Sequence, residues 1–203
     1  LKGGNVEGEM KPYRKIAEAM EISSWFKDDW FNKKFVIYVP ATKTKTPNLM
    51  MHIEKFECNM FQENCYIVSD ETKECVIIDC GAFYPEERSA IVDYIRSHGL
   101  TPKHLICTHA HIDHNFGNNT ISDNFQLKPE VSRKDEVLMD SLAAQAQAFI
   151  GMEYKEDVPA VGNFFYEKQV IRFGSHQFSI IPTPGHTPGS VMFYCEEEKV
   201  VFS

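Results

Sequence analysis

The fold is decided by the stretch CTHAHIDH, residues 107–114. Its first residues belong to the predicted buried strand HLICTH at residues 104–109, so the chain leaves this strand at His109 and enters a turn directly. Three imidazoles and one carboxylate lie within six residues of this turn, and both groups are suitable ligands for zinc or iron. The packing of an apolar core requires no such pattern. The stretch therefore predicts a metal-binding turn that follows a buried strand.

A second loop with one histidine lies further along the chain, in PTPGHTPGS at residues 182–190. It joins the predicted strands QFSII (177–181) and VMFYC (191–195), and its three prolines restrict its freedom. One histidine between glycines is weak evidence by itself. A stiff loop, however, holds a ligand at a fixed distance from its partners. Together the two segments predict that His186 meets the histidines of residues 107–114.

The chain between these loops and before them alternates predicted strands and helices, which is typical of a layered α/β fold. A helix is predicted at residues 85–97, and Gly99 is expected to end it. The polar segment DETKE (70–74) predicts a hairpin turn between two short apolar runs. The predicted strands of this part are residues 52–58, 65–68, 75–79 and 104–109.

Residues 133–149 predict a second helix, which Gly151 would end. Residues 150–168 show no periodicity, and two hairpins are predicted at 169–181 and 191–202. The inner face of the second helix would carry Val137, Leu138, Leu142 and Ala146.

At these residues the chain resembles the metallo-β-lactamase superfamily, and within it the glyoxalase II-like hydrolases. The resemblance covers about residues 51–203 and rests on IIDCG (77–81) together with the two histidine-bearing loops. It implies an α/β fold, namely an αββα sandwich of the metallo-β-lactamase type. The metal site of such a fold would lie at one edge, between two sheets.

The resemblance also implies how the polar side chains divide between metal ions. One ion would be held by His109, His111 and His186. A second ion would be held by Asp113 and His114. Zinc, as one or two ions, is the expected cofactor, with iron and manganese as alternatives.

Two carboxylates have further roles under this resemblance. Asp113 would be the catalytic residue, because it would orient the nucleophile as well as bind metal. Asp79 ends the predicted strand CVIID and would lie beside the metal loops, with Gly81 permitting the turn that follows. Alternatively, Asp79 only caps the end of its strand, and the residues leave both interpretations open.

Glyoxalase II-like enzymes hydrolyse thioesters, so the resemblance implies hydrolysis of a small-molecule acyl thioester by a metal-activated hydroxide. One alternative is a metal-binding fragment without catalysis or with weak activity. A second alternative is a mononuclear-iron enzyme similar to the persulfide dioxygenases. Hydrolysis of β-lactams is less favoured, because the loop spacing and IIDCG are more similar to glyoxalase II.

In this family the last strand, here KVVFS at residues 199–203, leads into a Gly-Asp pair whose carboxylate bridges both ions. Because the sequence stops at Ser203, we expect an incomplete C-terminal half, weak metal binding and slight hydrolysis. The hairpin at 191–202 would then have an open sheet edge. Two chains could associate across this edge as a homo-oligomer, or the predicted N-terminal helix and strand FVIYV (35–39), with Trp25 and Trp30, could cover the exposed face. The favoured alternative is that residues 1–49 are the tail of a different domain.

Composition sets the remaining expectations. The chain has 203 residues and is 43% hydrophobic, so it can bury a core, and its net charge of −8 argues against nucleic acid or an anionic membrane as partner. The net charge is +3 in residues 1–50 and −11 in residues 51–203, which predicts an N-terminal extension or tail before a metallo-β-lactamase-like domain. Six cysteines without a CxxC pair predict reduced thiols in a cytoplasmic protein.

Overall fold

The computed structural model describes residues 37–38, 50–156, 159–166 and 169–203. The short helix that the sequence indicates at residues 12–22 lies outside them. The strands are β1 Ile37–Tyr38, β2 His52–Cys58, β3 Glu63–Ser69, β4 Glu74–Ile78, β5 Thr101–Ile106, β6 Pro129–Ser132, β7 Asn163–Phe165, β8 Val170–Phe173, β9 His176–Pro182, β10 Val191–Cys195 and β11 Val200–Phe202. The α-helices are α1 Pro85–Ser97, α2 Asn118–Phe125, α3 Glu136–Asp140 and α4 Leu142–Ile150. Single 3-10 turns span Ile112–His114 and Arg133–Asp135.

The strands form two sheets. One has six strands in the order β2-β3-β4-β5-β6-β7, antiparallel from β2 to β4 and parallel from β4 to β7. The other has five antiparallel strands in the order β1-β11-β10-β9-β8. The parallel part matters most for the site, because the carboxyl ends of β4, β5 and β6 meet at one edge.

The alternation of side chains along β3 sends apolar groups to both faces of the six-stranded sheet. Tyr66 and Val68 pack between the two sheets against the aromatic side chains of Phe178 and Phe202 from the other sheet. The intervening residue Ile67 packs in a second cluster on the opposite face, with α1 and α2. The six-stranded sheet is therefore buried on both sides, which explains why its strands are apolar without clear alternation.

Helix α1 has the bounds that the sequence predicts. Pro85 begins it, and the Glu87 carboxylate accepts hydrogen bonds from the backbone N–H groups of Phe83 and Tyr84 at 2.8 and 3.1 Å. Gly99 follows the helix with a φ of +63°, a conformation that favours glycine. Helices on one sheet and the second sheet on the other side give the layered α/β architecture that was expected.

The single helix predicted over residues 133–149 is wrong. The structure has a 3-10 turn and two helices, with a break at Ser141, where φ is −105° and ψ is 12°. The break turns Val137 outward, so its side chain is 77% exposed instead of part of the inner face. Leu142 and Ala146 are buried as expected, and Gly151 ends the last helix with a φ of +66°.

Three further elements escape the sequence analysis, namely α2, β6 and β7. Helix α2 spans the polar sequence NNTISDNF, in which Ile121 is a buried apolar anchor. Strand β6 spans PEVS, too short to show a period, and is held by parallel pairing with β5. Tertiary contacts thus decide these elements, since their local sequence does not.

The edge of β11 is paired within the same chain. Ile37 lies opposite Val201 and Tyr38 lies opposite Val200, in antiparallel register. Coverage of the exposed face by FVIYV and its neighbours is one of the alternatives from the sequence, and only two residues of FVIYV are described as a strand. Association of two copies at this edge stays a prediction, as does the domain boundary near residue 50.

All six cysteines are buried and free, as the sequence predicts. Burial raises the pKa of the Cys75 and Cys195 thiols to about 12, so both remain protonated and unreactive near neutral pH. Over the described residues, the structure has no helix that meets the length and hydropathy of a membrane span.

Asp70 links the two sheets at the edge opposite the carboxyl ends of the parallel strands. Its buried carboxylate accepts hydrogen bonds from the backbone N–H groups of Thr72 and Ser175, at 2.9 and 2.7 Å, and lies 3.0 Å from His176 Nδ1. Burial alone would raise the pKa of Asp70, but the hydrogen bond from the Thr72 hydroxyl, together with those from Ser175 N, His176 and Thr72 N, outweighs it and lowers the pKa. Next to this carboxylate, Gly174 has a φ of +52°.

Replacing Gly174 with alanine tests this junction. A Cβ at Gly174 would lie 2.3 Å from both carboxylate oxygens of Asp70, whereas a Cβ at Gly99 would meet nothing within 4 Å. Both glycines have positive φ, so Gly99→Ala isolates the backbone strain and should lower the free energy of unfolding by about 1 kcal/mol. Gly174→Ala should lower it by about 2–4 kcal/mol, since overpacking adds to strain. Equal losses in urea unfolding would contradict the described junction.

Candidate metal site

The polar residues singled out in the sequence collect at the carboxyl ends of the parallel strands. Asp79 follows β4, and the segment from Thr108 to His114 follows β5. The loop with His186 reaches the same place from the other sheet, since it joins β9 to β10. A backbone hydrogen bond of 2.9 Å from Val191 N to the carbonyl oxygen of Thr108 ties the bases of the two loops together.

The imidazoles of His109, His111 and His186 converge. One ring nitrogen of each lies within 4.8 Å of the others, and the ring centroids are 4.6 to 4.9 Å apart. The closest pair is His111 Nδ1 and His186 Nε2, at 2.9 Å. His109 is buried, His111 is half-buried and His186 is exposed, so the cluster opens to solvent on the side of His186. The structure thus brings together the three histidines that the sequence assigns to one ion.

A chain of hydrogen bonds sets the tautomer of His109. The Asp79 carboxylate accepts hydrogen bonds from the backbone N–H and the hydroxyl of Thr108, both at 2.7 Å. Because the Thr108 hydroxyl gives its proton to Asp79, its oxygen accepts from His109 Nδ1, 3.1 Å away. His109 then keeps its lone pair on Nε2. Fixing the tautomer in this way through the other ring nitrogen is typical of histidines that bind metals.

The second histidine of the cluster is favoured in its neutral form. Burial lowers the pKa of His111, and the neighbouring imidazole of His186 lowers it further. Only the neutral ring has a lone pair for a metal ion. The surroundings of His111 therefore suit ligation and disfavour a protonated surface histidine.

Buried amide side chains hold the backbone of this turn. The Gln145 amide accepts a hydrogen bond from Ile112 N at 3.0 Å and donates one to the Ala110 carbonyl at 3.1 Å. Asn115 Nδ2 donates to the His111 carbonyl at 2.6 Å. Gln145 lies on α4. The sequence predicts this region as a helix from its apolar residues alone, whereas in the structure the helix also supports the histidine turn through a polar side chain.

Asp113 and His114 lie beside the three imidazoles. The His114 ring centroid is 4.1 Å from that of His109, and His114 Nε2 is 3.6 Å from Asp113 Oδ2. The carbonyl oxygen of Asp113 accepts a hydrogen bond of 2.8 Å from Asn59 Nδ2. Of the two ring nitrogens of His114, Nε2 therefore faces the group that the sequence assigns to the same ion.

The other nitrogen of His114 faces two buried carboxylates. Nδ1 lies 3.1 Å from Asp79 Oδ2 and 3.5 Å from Glu63 Oε1. These three side chains form a second group with metal-ligating atoms within 4.8 Å of one another. Glu63 was missed in the sequence, where an acidic residue at the start of a strand gives no sign that it is 1% exposed.

Asp79 lies at the strand end where the sequence predicts it. It stands at the end of β4 with a φ of +53°, a conformation that only a few residue types other than glycine tolerate. Its carboxylate accepts hydrogen bonds from Thr108, which contacts His109, and lies beside the ring of His114. The structure places it beside the histidine loops; a role toward a bound ion is a proposal.

The donor set fits a metal ion of the zinc or iron type. Three imidazoles provide the number of protein ligands that is common in catalytic zinc sites, where a further position stays open. Asp113 and His114 add a carboxylate and an imidazole beside them. Among the described residues, no other groups of three metal-ligating side chains come together except this one and that of Glu63, Asp79 and His114.

Gly81 allows this region to pack closely, and its replacement tests the arrangement. A Cβ at Gly81 would lie 2.3 Å from both the Asp113 carbonyl oxygen and Glu63 Oε2. Gly81→Ala should lower the free energy of unfolding by about 1–3 kcal/mol and shift the NMR signals of the turn at Asp113. Gly185→Ala is the control, because a Cβ next to His186 would meet nothing within 4 Å. It should change stability by less than about 0.5 kcal/mol; an effect as large as that of Gly81→Ala would contradict the packing.

Comparison with known proteins identifies the family of this chain. The family model of the metallo-beta-lactamase superfamily matches residues 58–203. Hydroxyacylglutathione hydrolase GloC of Haemophilus influenzae is 32% identical over 154 residues, which cover 75% of this chain and 70% of that protein. Hydroxyacylglutathione hydrolase of Mesorhizobium japonicum is 26% identical, and the match covers 76% of this chain but only 51% of that protein.

Two solved structures share the fold. The BLEG-1 B3 metallo-beta-lactamase superposes with a TM-score of 0.64 at 26% identity, over 72% of this chain and 68% of that one. The protein TTHA1623, in a di-iron-bound form, superposes with a TM-score of 0.59 at 27% identity, over 71% of this chain and 67% of that one. The convergence of the histidine loops, the αβ layers and these similarities lead to one assignment: the chain belongs to the metallo-beta-lactamase superfamily and is glyoxalase II-like.

Proposed function

We propose that this protein is a metal-dependent hydrolase of small-molecule acyl thioesters, of the hydroxyacylglutathione type. The superfamily comprises metal-dependent hydrolases, and the relatives named above include two hydroxyacylglutathione hydrolases. The substrate class is the part that is proposed. Its support is the similarity to these relatives together with the arrangement of the histidine loops.

The observation that carries the proposal is the convergence of His109, His111 and His186 from two distant loops. A zinc or iron ion bound there would supply Lewis acidity and an activated water for attack on the thioester carbonyl. The three imidazoles would hold the ion and leave one side open, because His186 is exposed to solvent. Asp79 and Thr108 would keep His109 in the required tautomer.

Asp113 is the proposed catalytic carboxylate. Its side chain is 22% exposed, so it can contact both the imidazole beside it and a molecule that enters from solvent. Its Oδ2 atom would accept a proton from the attacking water and orient that water toward the substrate. His114, held through Nδ1 by the buried carboxylate of Asp79, would present Nε2 beside this atom.

The proposal includes the metal and the compartment. Zinc, as one or two ions, is the first choice for a set of imidazoles and one carboxylate, and iron or manganese are the alternatives. The di-iron-bound form of TTHA1623, which shares the fold at 27% identity, favours a test with iron as well as with zinc. Six free, buried thiols suit a reducing compartment such as the cytoplasm.

Phe149 on α4 is the proposed apolar wall for the acyl or thiol part of the substrate. Its ring centroid lies 6.0 Å from that of His111, and the residue is 58% exposed. An exposed aromatic ring beside a polar cluster is available to bury apolar substrate atoms. The contact would be apolar and would not depend on a charged group of the substrate. The wall would therefore accept different acyl groups.

Removal of one imidazole tests the proposed function directly. His111→Ala should lower the metal content below that of the wild type, measured by elemental mass spectrometry on protein loaded with zinc, iron or manganese. It should lower kcat/KM for S-lactoylglutathione by more than the roughly 10- to 100-fold that loss of an outer partner costs. His52→Ala is the control, because His52 is exposed on β2 outside the cluster, and it should change neither quantity.

Four results would contradict the proposal. Wild-type protein that retains metal but releases no thiol from S-acylglutathiones would favour the metal-binding alternative. Oxygen uptake with a persulfide would favour an iron dioxygenase, and turnover of a β-lactam in place of thioesters would favour a lactamase. Equal metal retention in His111→Ala and wild type would show that the ion binds elsewhere.

The apolar wall has its own test. Phe149→Ala should raise KM for an acylglutathione by about 5- to 10-fold with little change in kcat, because it removes apolar contact that substrate and transition state share. Phe149→Leu retains most of this apolar area and should remain within about 2-fold of wild type. A fall in kcat at unchanged KM would contradict a role in binding.

A further inference from the structure

Asp135 is a buried carboxylate that neither the metal set nor the proposed chemistry uses. It ends the 3-10 turn Arg133–Asp135, directly after β6, and is 0% exposed. It therefore stands at the carboxyl end of the next parallel strand after those that lead to Asp79 and to the histidine turn. A carboxylate at such a position is stable only when its oxygens accept hydrogen bonds.

The hydrogen bonds to Asp135 come from both histidine loops. Its Oδ2 accepts from the backbone N–H of Ala110 at 3.1 Å and from the hydroxyl of Thr187 at 2.7 Å. Its Oδ1 accepts from the backbone N–H of Gly189 at 2.6 Å. One carboxylate thus binds the turn after β5 and the loop after β9 at once, from the side of β6.

The bonded residues are sequence neighbours of all three imidazoles. Ala110 lies between His109 and His111, and Thr187 directly follows His186. We propose that Asp135 is a positioning residue that fixes the separation of the two histidine loops and so the convergence of their imidazoles. Its contribution is independent of the Asp79 carboxylate, which acts on Thr108 and His114.

The loop after β9 is built for this contact. A Cβ at Gly189 would lie 2.5 Å from Asp135 Cγ and 2.8 Å from its backbone nitrogen, so only glycine permits the approach. The Thr187 hydroxyl also contacts the Ser190 hydroxyl at 2.8 Å, which orients it toward Asp135. In contrast, the Gln145 amide forms hydrogen bonds with Ala110 and Ile112 of the turn and with the Leu138 carbonyl at the end of the preceding helix, so it contacts one histidine loop and not both.

Asp135→Asn tests the role, because it keeps the shape but turns one acceptor into a donor that faces the N–H or O–H donors of the loops. Asp70→Asn is the matched control. Asp70 is also buried and also accepts backbone hydrogen bonds, but it follows β3 and contacts the start of β9, and the length of β9, about 20 Å, separates that contact from the histidine loop. Both variants should lose stability, and only Asp135→Asn should disturb the imidazoles.

Two readouts separate positioning from general stability. In metal-free wild-type protein, NMR should show cross-relaxation between the ring protons of His111 and His186, whose centroids are 4.6 Å apart. Asp135→Asn should lose this signal and Asp70→Asn should keep it. For zinc, the dissociation constant should rise by about 10- to 100-fold in Asp135→Asn and stay within about 2-fold in Asp70→Asn.

The Thr187 side chain provides a second pair of variants, and these variants test the inference if Asp135→Asn does not fold. Thr187→Val removes the hydroxyl that donates to Asp135 and should weaken zinc binding by about 10-fold, whereas Thr187→Ser retains the hydroxyl and should bind as wild type. The absorption spectrum of the cobalt-loaded protein should change in Thr187→Val and not in Thr187→Ser.

Of the two measurements, only the zinc dissociation constant depends on the proposed metal site. If wild-type protein binds no zinc, the proposed function fails, and the ring-proton signal of the metal-free protein still decides the role of Asp135. An unchanged signal in Asp135→Asn, or in Thr187→Val when the first variant does not fold, would overturn the inference. So would an equal loss of signal in Asp70→Asn, since the effect would then follow stability.

Discussion

Three imidazoles share one small volume, although the loops that carry His111 and His186 are 75 residues apart in the chain. Side chains brought this close lose part of their hydration, and a bound cation or a hydrogen bond between the rings would compensate that loss. The surrounding structure must therefore hold the loops before any ligand arrives. Buried carboxylates and amides do so by accepting and donating hydrogen bonds to the loop backbones, and the parallel strands align these groups at one edge.

The charges around the cluster are arranged for a cation. Burial lowers the pKa of His111 and so favours the neutral ring that can ligate, whereas Asp79, Asp113 and Glu63 lie behind or beside the imidazoles. Their negative charges would stabilise a bound ion, and the hydrogen bonds that Asp79 accepts compensate its burial. The same features explain why a region rich in charged and polar groups is found at the carboxyl edge of an otherwise apolar sheet.

The sequence predicts this fold where patterns are local. The bounds of α1 and of β2 and β10, and the two histidine loops, follow from apolar runs and turn residues. Glu63 and Asp135 could not be found in this way, because their burial depends on neighbours far along the chain. Strand β6 has only four residues, so its sequence shows no alternation of apolar and polar residues. Because the strand is not predicted, the sequence does not indicate that Asp135 lies at the edge of the sheet. The helix over residues 133–149 was wrong because apolar spacing does not reveal the break at Ser141.

The most direct test of the account is the position of a metal ion in crystals of the zinc-loaded protein, located by anomalous scattering at the zinc edge. The account predicts a peak in contact with one nitrogen each of His109, His111 and His186. A peak bound instead by Glu63, Asp79 and His114, or zinc bound only at surface residues, would contradict it.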